Sequence, residues 1–111
     1  MSGLEQKILG EMHNRIVRSF LDVVILQALE RGPLGCYDVV SLIRDKYDVS
    51  LSPGKTYSCL YTLEKEGLVQ SELNSNKRIF RVTDQGKDVI RELSREKTKI
   101  FGMLLRLFEE K

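Results

Sequence analysis

The sequence predicts a mainly α (α+β) fold: three helices, a two-stranded hairpin and a long closing helix. Three observations carry this prediction. Ser52-Pro53-Gly54 gives one helix a sharp start, and Gly67 gives it a sharp end. Two short strand-like runs, 68–73 and 77–82, flank Asn74-Ser75-Asn76, which is turn chemistry. Apolar residues recur at helical spacing on both sides of this block. Three helices followed by a two-stranded wing form the winged variant of the helix-turn-helix, here extended by a helix at each end.

Each element has its own reason. Residues 4–31 read as helix, with Leu4, Ile8, Met12, Ile16 and Phe20 every four residues, then Val23, Val24, Leu26 and Leu29. Gly10 and Asn14 are the expected kink or break points, and Gly32-Pro33 is a firm stop. Residues 36–47 form a second helix whose apolar side is Val39, Val40, Leu42 and Ile43, with Tyr47 near its end. In the connector that follows, Val49 and Leu51 alternate with polar neighbours, which suits a brief strand. The third helix runs from the Ser52 cap to about Glu66. In the second strand of the hairpin, Phe80 and Val82 share one side, and Ile79 and Arg81 the other. Thr83 caps a last helix from Asp84 to about Glu109, with Asp84 at its positive end. The chain thus divides into a helical extension (1–15), a winged helix-turn-helix (16–83) and a C-terminal helix (84–111).

The totals bound the function. A chain of 111 residues is one domain's worth, and 41% apolar content supports a modest core. A net charge of +2 attracts nucleic acid only if the cations gather on one face. Cys36 and Cys59 form no CxxC or Cys/His cluster, and His13 has no partner at metal-ligand spacing. No metal or cofactor is therefore expected, and both cysteines read as reduced packing residues of a cytoplasmic protein. No signal-peptide pattern and no apolar run of about 18 residues is present, so no membrane partner is expected. Paired carboxylates, a nucleophile–base set and a phosphate loop are all missing, which argues against an enzyme.

The third helix carries the functional signal. Projected at about 100° per residue, Thr56, Cys59, Leu60 and Leu63 share a buried side. Gly54, Ser58, Tyr61 and Lys65 lie opposite, flanked by Lys55 and Thr62 on one edge and Tyr57 on the other. Against DNA, Gly54 lets the helix N-terminus approach a phosphate. Lys55 reaches guanine acceptors or a phosphate, and Ser58 and Thr62 suit base edges. Tyr57 and Tyr61 offer hydroxyls to phosphate, and Lys65 a later backbone contact. In the wing, Lys77 and Arg78 sit at the turn and Arg81 projects outward, which suits a minor groove or flanking phosphates.

The chain resembles the PadR-like transcriptional regulators over roughly residues 21–90. Leu26-Gln27-Ala28-Leu29, Gly32-Pro33-Leu34 and Tyr37-Asp38-Val39 carry the first part of the likeness. Ser52-Pro53-Gly54-Lys55-Thr56-Tyr57, Leu63-Glu64-Lys65-Glu66-Gly67-Leu68-Val69, Lys77-Arg78-Ile79-Phe80-Arg81-Val82-Thr83 and Gly86 carry the rest. Gly35-Cys36 stands where the family often has a His-Gly pair, and Ser58 where it usually has proline. The resemblance implies a homodimeric repressor on a palindromic or near-palindromic operator, dimerised through its terminal helices. Some members bind flat aromatic molecules at the dimer interface, often beside a tryptophan, whereas this chain has no Trp. Face, wing and resemblance together give a candidate DNA-contact set of Tyr37, Ser52, Gly54, Lys55, Tyr57, Ser58, Tyr61, Thr62, Lys65, Lys77, Arg78 and Arg81.

The residues themselves also call for a second copy. Ile100, Phe101, Met103, Leu104, Leu105, Leu107 and Phe108 come almost together, so that helix end is apolar nearly all round. Leu4, Ile8 and Met12 equally lack a partner. A twofold dimer burying Leu4, Ile8, Met12, Ile100, Phe101, Leu104, Leu105 and Phe108 resolves both. Gly102 costs about 1 kcal/mol inside a helix, which close helix approach would explain. Such an interface has room for an unidentified small-molecule effector, and the sequence names none. The leading reading is a sequence-specific DNA-binding regulator. The alternative is a winged helix used for protein contacts in a larger assembly, motivated by the near-neutral charge and by Glu64, Glu66 and Glu72 beside the face.

Overall fold

Phe80 is fully buried at the centre of the core, where the sheet meets the helices. The computed structural model describes residues 2–109. Its elements are α1 (Gly3–Ser19), α2 (Leu21–Glu30), β1 (Leu34–Gly35), α3 (Cys36–Tyr47), α4 (Pro53–Lys65), β2 (Val69–Asn74), β3 (Lys77–Val82), α5 (Asp84–Arg95) and α6 (Lys97–Arg106). The expected mainly α, winged architecture is present. Ile25 and Leu29 of α2, Val39 and Ile43 of α3, Leu60 and Leu63 of α4 and Val69 of β2 close around Phe80.

Local chemistry sets the ends of α4 as expected. Ser52 Oγ accepts the Lys55 amide at 3.2 Å, Pro53 occupies the first helical position, and Gly67 follows the helix at φ 83°. The wing turns through Ser75 and Asn76, both left-handed at φ 50° and 67°, the pairing that suits a two-residue hairpin loop. Thr83 Oγ1 accepts the Gly86 amide at 3.1 Å and so caps α5.

The structure corrects several expectations. The N-terminal helix does not break at Gly10 or Asn14; it breaks at Phe20, where φ −109° and ψ 30° leave the helical region. That turn lets α2 bury Ile25, Leu26, Ala28 and Leu29, while α1 buries only Val17. The last helix is likewise divided, at Glu96, between α5 and α6. No strand forms at Val49–Leu51; both side chains are buried in the core from an irregular connector. The wing gains a third strand instead: β1 pairs antiparallel with β3, Leu34 opposite Phe80 and Gly35 opposite Ile79, giving the order β1-β3-β2. A Cβ at Gly102 would meet nothing within 4 Å in the single chain, so no intrachain helix approach explains that glycine.

The terminal helices project from this core, making the chain 53 Å long and 20 Å at its thinnest. Two side chains tether α1 to the end of α3 and the connector after it: His13 Nε2 lies 2.5 Å from the Tyr47 carbonyl oxygen, and Arg18 donates to the Ser50 carbonyl at 2.7 Å.

Candidate nucleic-acid interface

Helix α4 presents the two faces that its projection predicts. Thr56, Leu60 and Leu63 are buried, and Thr56 Oγ1 satisfies itself on the Ser52 carbonyl at 3.0 Å. Cys59 is half-buried beside them. Burial first, then Asp22 and Glu66, pushes its thiol up to about 11, and burial also raises Cys36. Both are free cysteines and stay protonated at neutral pH, as packing residues do.

Ser52, Gly54, Lys55, Ser58, Tyr61, Thr62 and Lys65 lie on the exposed face. Among the described residues, neither Lys55 nor Lys65 is held in an ion pair within 4.0 Å. Thr62 Oγ1 donates to the Ser58 carbonyl at 2.9 Å, so its hydroxyl meets a ligand as an acceptor. Tyr37, at the start of α3, is 64% exposed.

The tyrosines of α4 form an aromatic bridge to the wing. Tyr57 and Tyr61 stack at 5.9 Å between centroids, and both meet Phe80 edge-on, at 6.3 and 5.7 Å. Tyr57 is half-buried rather than open at the helix edge, and burial raises its phenol above the ordinary value. Tyr61 remains 45% exposed above it.

The wing cations are not loose. Lys77 Nζ lies 3.0 Å from Asp38 Oδ2, and Arg81 Nη2 lies 2.5 Å from Glu72 Oε1. Arg78 is half-buried and donates to Ser71 Oγ at 3.0 Å. Ser71 in turn donates its hydroxyl and its amide to Glu64 Oε2 on α4, at 2.6 and 2.9 Å. The sequence marks Lys77 as a cation but not its pairing with Asp38, because the two are 39 residues apart. The Lys77 ammonium and the Gly35 amide together hold the Asp38 carboxyl below the usual carboxylate range. Arg18, also absent from the sequence-based set, borders the groove between α1 and α4 with Lys55, Ser58 and Thr62. No group of three or more potential metal ligands occurs among the described residues.

Comparison with known proteins agrees with this architecture. No curated protein sequence matches the chain. Among solved structures, a PadR family transcriptional regulator from Eggerthella lenta is similar at a TM-score of 0.78 and 24% identity, over 99% of this chain and 100% of that one. A transcriptional regulator from Clostridium thermocellum is similar at 0.72 and 23%, over 86% and 96%. Bacillus subtilis PadR in complex with operator DNA is similar at 0.57 and 25%, over 66% of this chain and 45% of that one. The model of the transcriptional regulator PadR-like family matches residues 25–92, from the core of α2 through the wing into α5. The chain therefore belongs to the PadR-like family of transcriptional regulators.

Proposed function

We propose that the chain is a homodimeric, sequence-specific DNA-binding repressor that docks α4 in the major groove and the β2–β3 wing beside it. The observation that carries this reading is the exposed α4 face, with Lys55 and Lys65 unpaired among the described residues and the wing set beside it. In this reading Lys55 and Ser58 address base edges, and the amides around Gly54 meet a phosphate. Tyr61 covers the sugar-phosphate backbone with Tyr57 packed beneath it, and Tyr37, Ser52, Thr62 and Lys65 complete the contact. Arg78 and Arg81 supply the wing, while Lys77 at its turn stays paired with Asp38. The complex of Bacillus subtilis PadR with operator DNA supports DNA as the partner, and a partner of that kind implies a cytoplasmic location.

The dimer rests on unpartnered apolar surface. Leu4, Ile8, Phe101, Leu105 and Phe108 are each more than half exposed in the single chain. Beside them a groove of about 470 Å³ runs between α1–α2 and α5–α6, lined mainly by apolar residues such as Ile16, Phe20, Leu93, Ile100, Phe101 and Leu104, with Gln27, Ser94 and Lys97 among them. Surface of this extent marks an association site, and the helices of a second copy suit it. Two copies with recognition helices about 34 Å apart address successive major grooves and neutralise about 6 to 10 phosphates. A dimer seated across an operator blocks it, which makes repression the direct outcome.

The test is selection of bound duplexes from a random pool, followed by salt titration of the selected site against scrambled DNA. Enrichment of palindromic sites, with affinity falling steeply in salt, is the expected result. A dimer showing no preference at moderate salt would remove specific regulation from consideration.

A further inference from the structure

The wing carries its own counter-ions, and the clearest is Asp38. Its Oδ2 lies 3.0 Å from Lys77 Nζ and also accepts the Gly35 amide at 3.0 Å. The second bond ties the carboxylate to the start of α3, so it cannot follow the lysine elsewhere. The lysine is seated as well. A Cβ at Gly35 would stand 2.6 Å from Lys77 Cε, so the aliphatic stem lies directly across β1, and a larger residue there would push it aside. The two side chains are 56% and 44% exposed, which leaves the pair open to competition from a phosphate.

An exposed pair of this kind adds little to stability. Its consequence lies in DNA binding. A lysine neutralises a phosphate, and releases a counter-ion, only after it leaves its carboxylate. We propose that Asp38 is a specificity-determining residue that holds Lys77 off phosphate and so suppresses sequence-independent binding through the wing. Discrimination is then left to α4, whose Lys55 and Lys65 are unpaired among the described residues. On the operator α4 fixes a register in which Lys77 stays on Asp38, so a lysine freed from Asp38 adds to binding of the vastly more numerous non-specific sites and lowers the specific-to-scrambled ratio. The inference rests on the DNA-binding reading above.

The experiment measures full-length wild type, Asp38→Asn, Lys77→Gln and the double variant against a selected palindromic duplex and a scrambled one, over a range of salt. Asparagine keeps an oxygen for the Gly35 amide, and Asp38→Ser serves if Asp38→Asn does not fold. Asp38→Asn is expected to bind scrambled DNA about two- to fivefold more tightly per protomer. Its log–log salt slope should steepen by about 0.9 for each freed lysine, and the specific-to-scrambled ratio should fall. The gain should vanish in the Lys77→Gln background. Unchanged scrambled affinity in folded Asp38→Asn overturns the proposal. So does a gain that persists without Lys77, since that reports only the lost negative charge. Wild type that binds neither duplex overturns the DNA-binding reading itself, and this inference with it.

Discussion

The Glu64 carboxylate on α4 accepts both the amide and the hydroxyl of Ser71 on β2, at 2.9 and 2.6 Å. One side chain thereby locks the candidate recognition helix to the wing, and Ser71 passes the constraint on to Arg78. Hydrogen bonds to a half-buried charge are worth more than neutral ones. Glu64→Ala is expected to lower unfolding free energy by about 2 kcal/mol, with Glu64→Gln recovering part of the loss. Urea denaturation of the two variants checks this, and equal stability of Glu64→Ala and wild type would refute it.

The start of α4 depends on Ser52, whose hydroxyl accepts the Lys55 amide. Ser52→Ala leaves that amide without its cap and should cost about 1 kcal/mol, while Ser52→Asp should retain most of the stability. Thermal or chemical denaturation of both variants decides.

Gly86 sits where α5 meets the chain entering β2. A Cβ there would collide with the Leu68 carbonyl oxygen and stand 2.6 Å from Val82 Cγ2. The Leu68 carbonyl is backbone and already accepts the Thr83 amide at 3.0 Å, so it has little freedom to retreat. Gly86→Ala should therefore destabilise by about 3 kcal/mol, despite being favourable for an exposed helix. A melting temperature at or above that of wild type would contradict the packing.

Acid should weaken the Asp38–Lys77 link. The folded-state pKa of Asp38 is lowered, first by the Lys77 hydrogen bond and then by the Gly35 amide. Its contribution is thus present above the unfolded value of about 3.9 and is lost as pH falls through the lower folded value. Asp38→Asn should flatten that part of the acid limb of stability against pH, with little change near neutrality. Direct titration of the Asp38 carboxyl by NMR should give an upward shift in Lys77→Gln.

Charging the projecting helices should separate dimerisation from folding. Phe101 is 60% exposed and Ile8 52% exposed in the single chain. Phe101→Glu and Ile8→Glu should leave each chain's core intact yet yield monomers in sedimentation velocity. Binding to palindromic duplex should fall by at least tenfold when only one half-site can be held. A variant that stays dimeric would assign the interface elsewhere.

Much of the scaffold was legible in the chain because its determinants are local. Ser52, Pro53 and Gly67 bound α4 through capping and backbone geometry that need no distant partner. Asn74-Ser75-Asn76 announces the wing turn for the same reason. The breaks at Phe20 and Glu96 carry no glycine or proline, and β1 is two residues long, too short to show alternation. Ile25, fully buried, stands outside the stripe chosen from spacing, because α2 turns relative to α1. Tyr57 lies at the helix edge in projection, yet Phe80 from β3 half-buries it.

From sequence alone came the winged order of elements, the two faces of α4 and the excess of apolar surface at both ends, all properties of period and cap chemistry. Only the tertiary structure decided which cations are free. Lys55 and Lys77 look alike in the chain, but the fold seats Lys77 across Gly35 and against Asp38, and leaves Lys55 without such a partner among the described residues. The physical reason is that charge pairing acts through space. Partners 39 residues apart meet only when β1, β3 and α3 have been brought together.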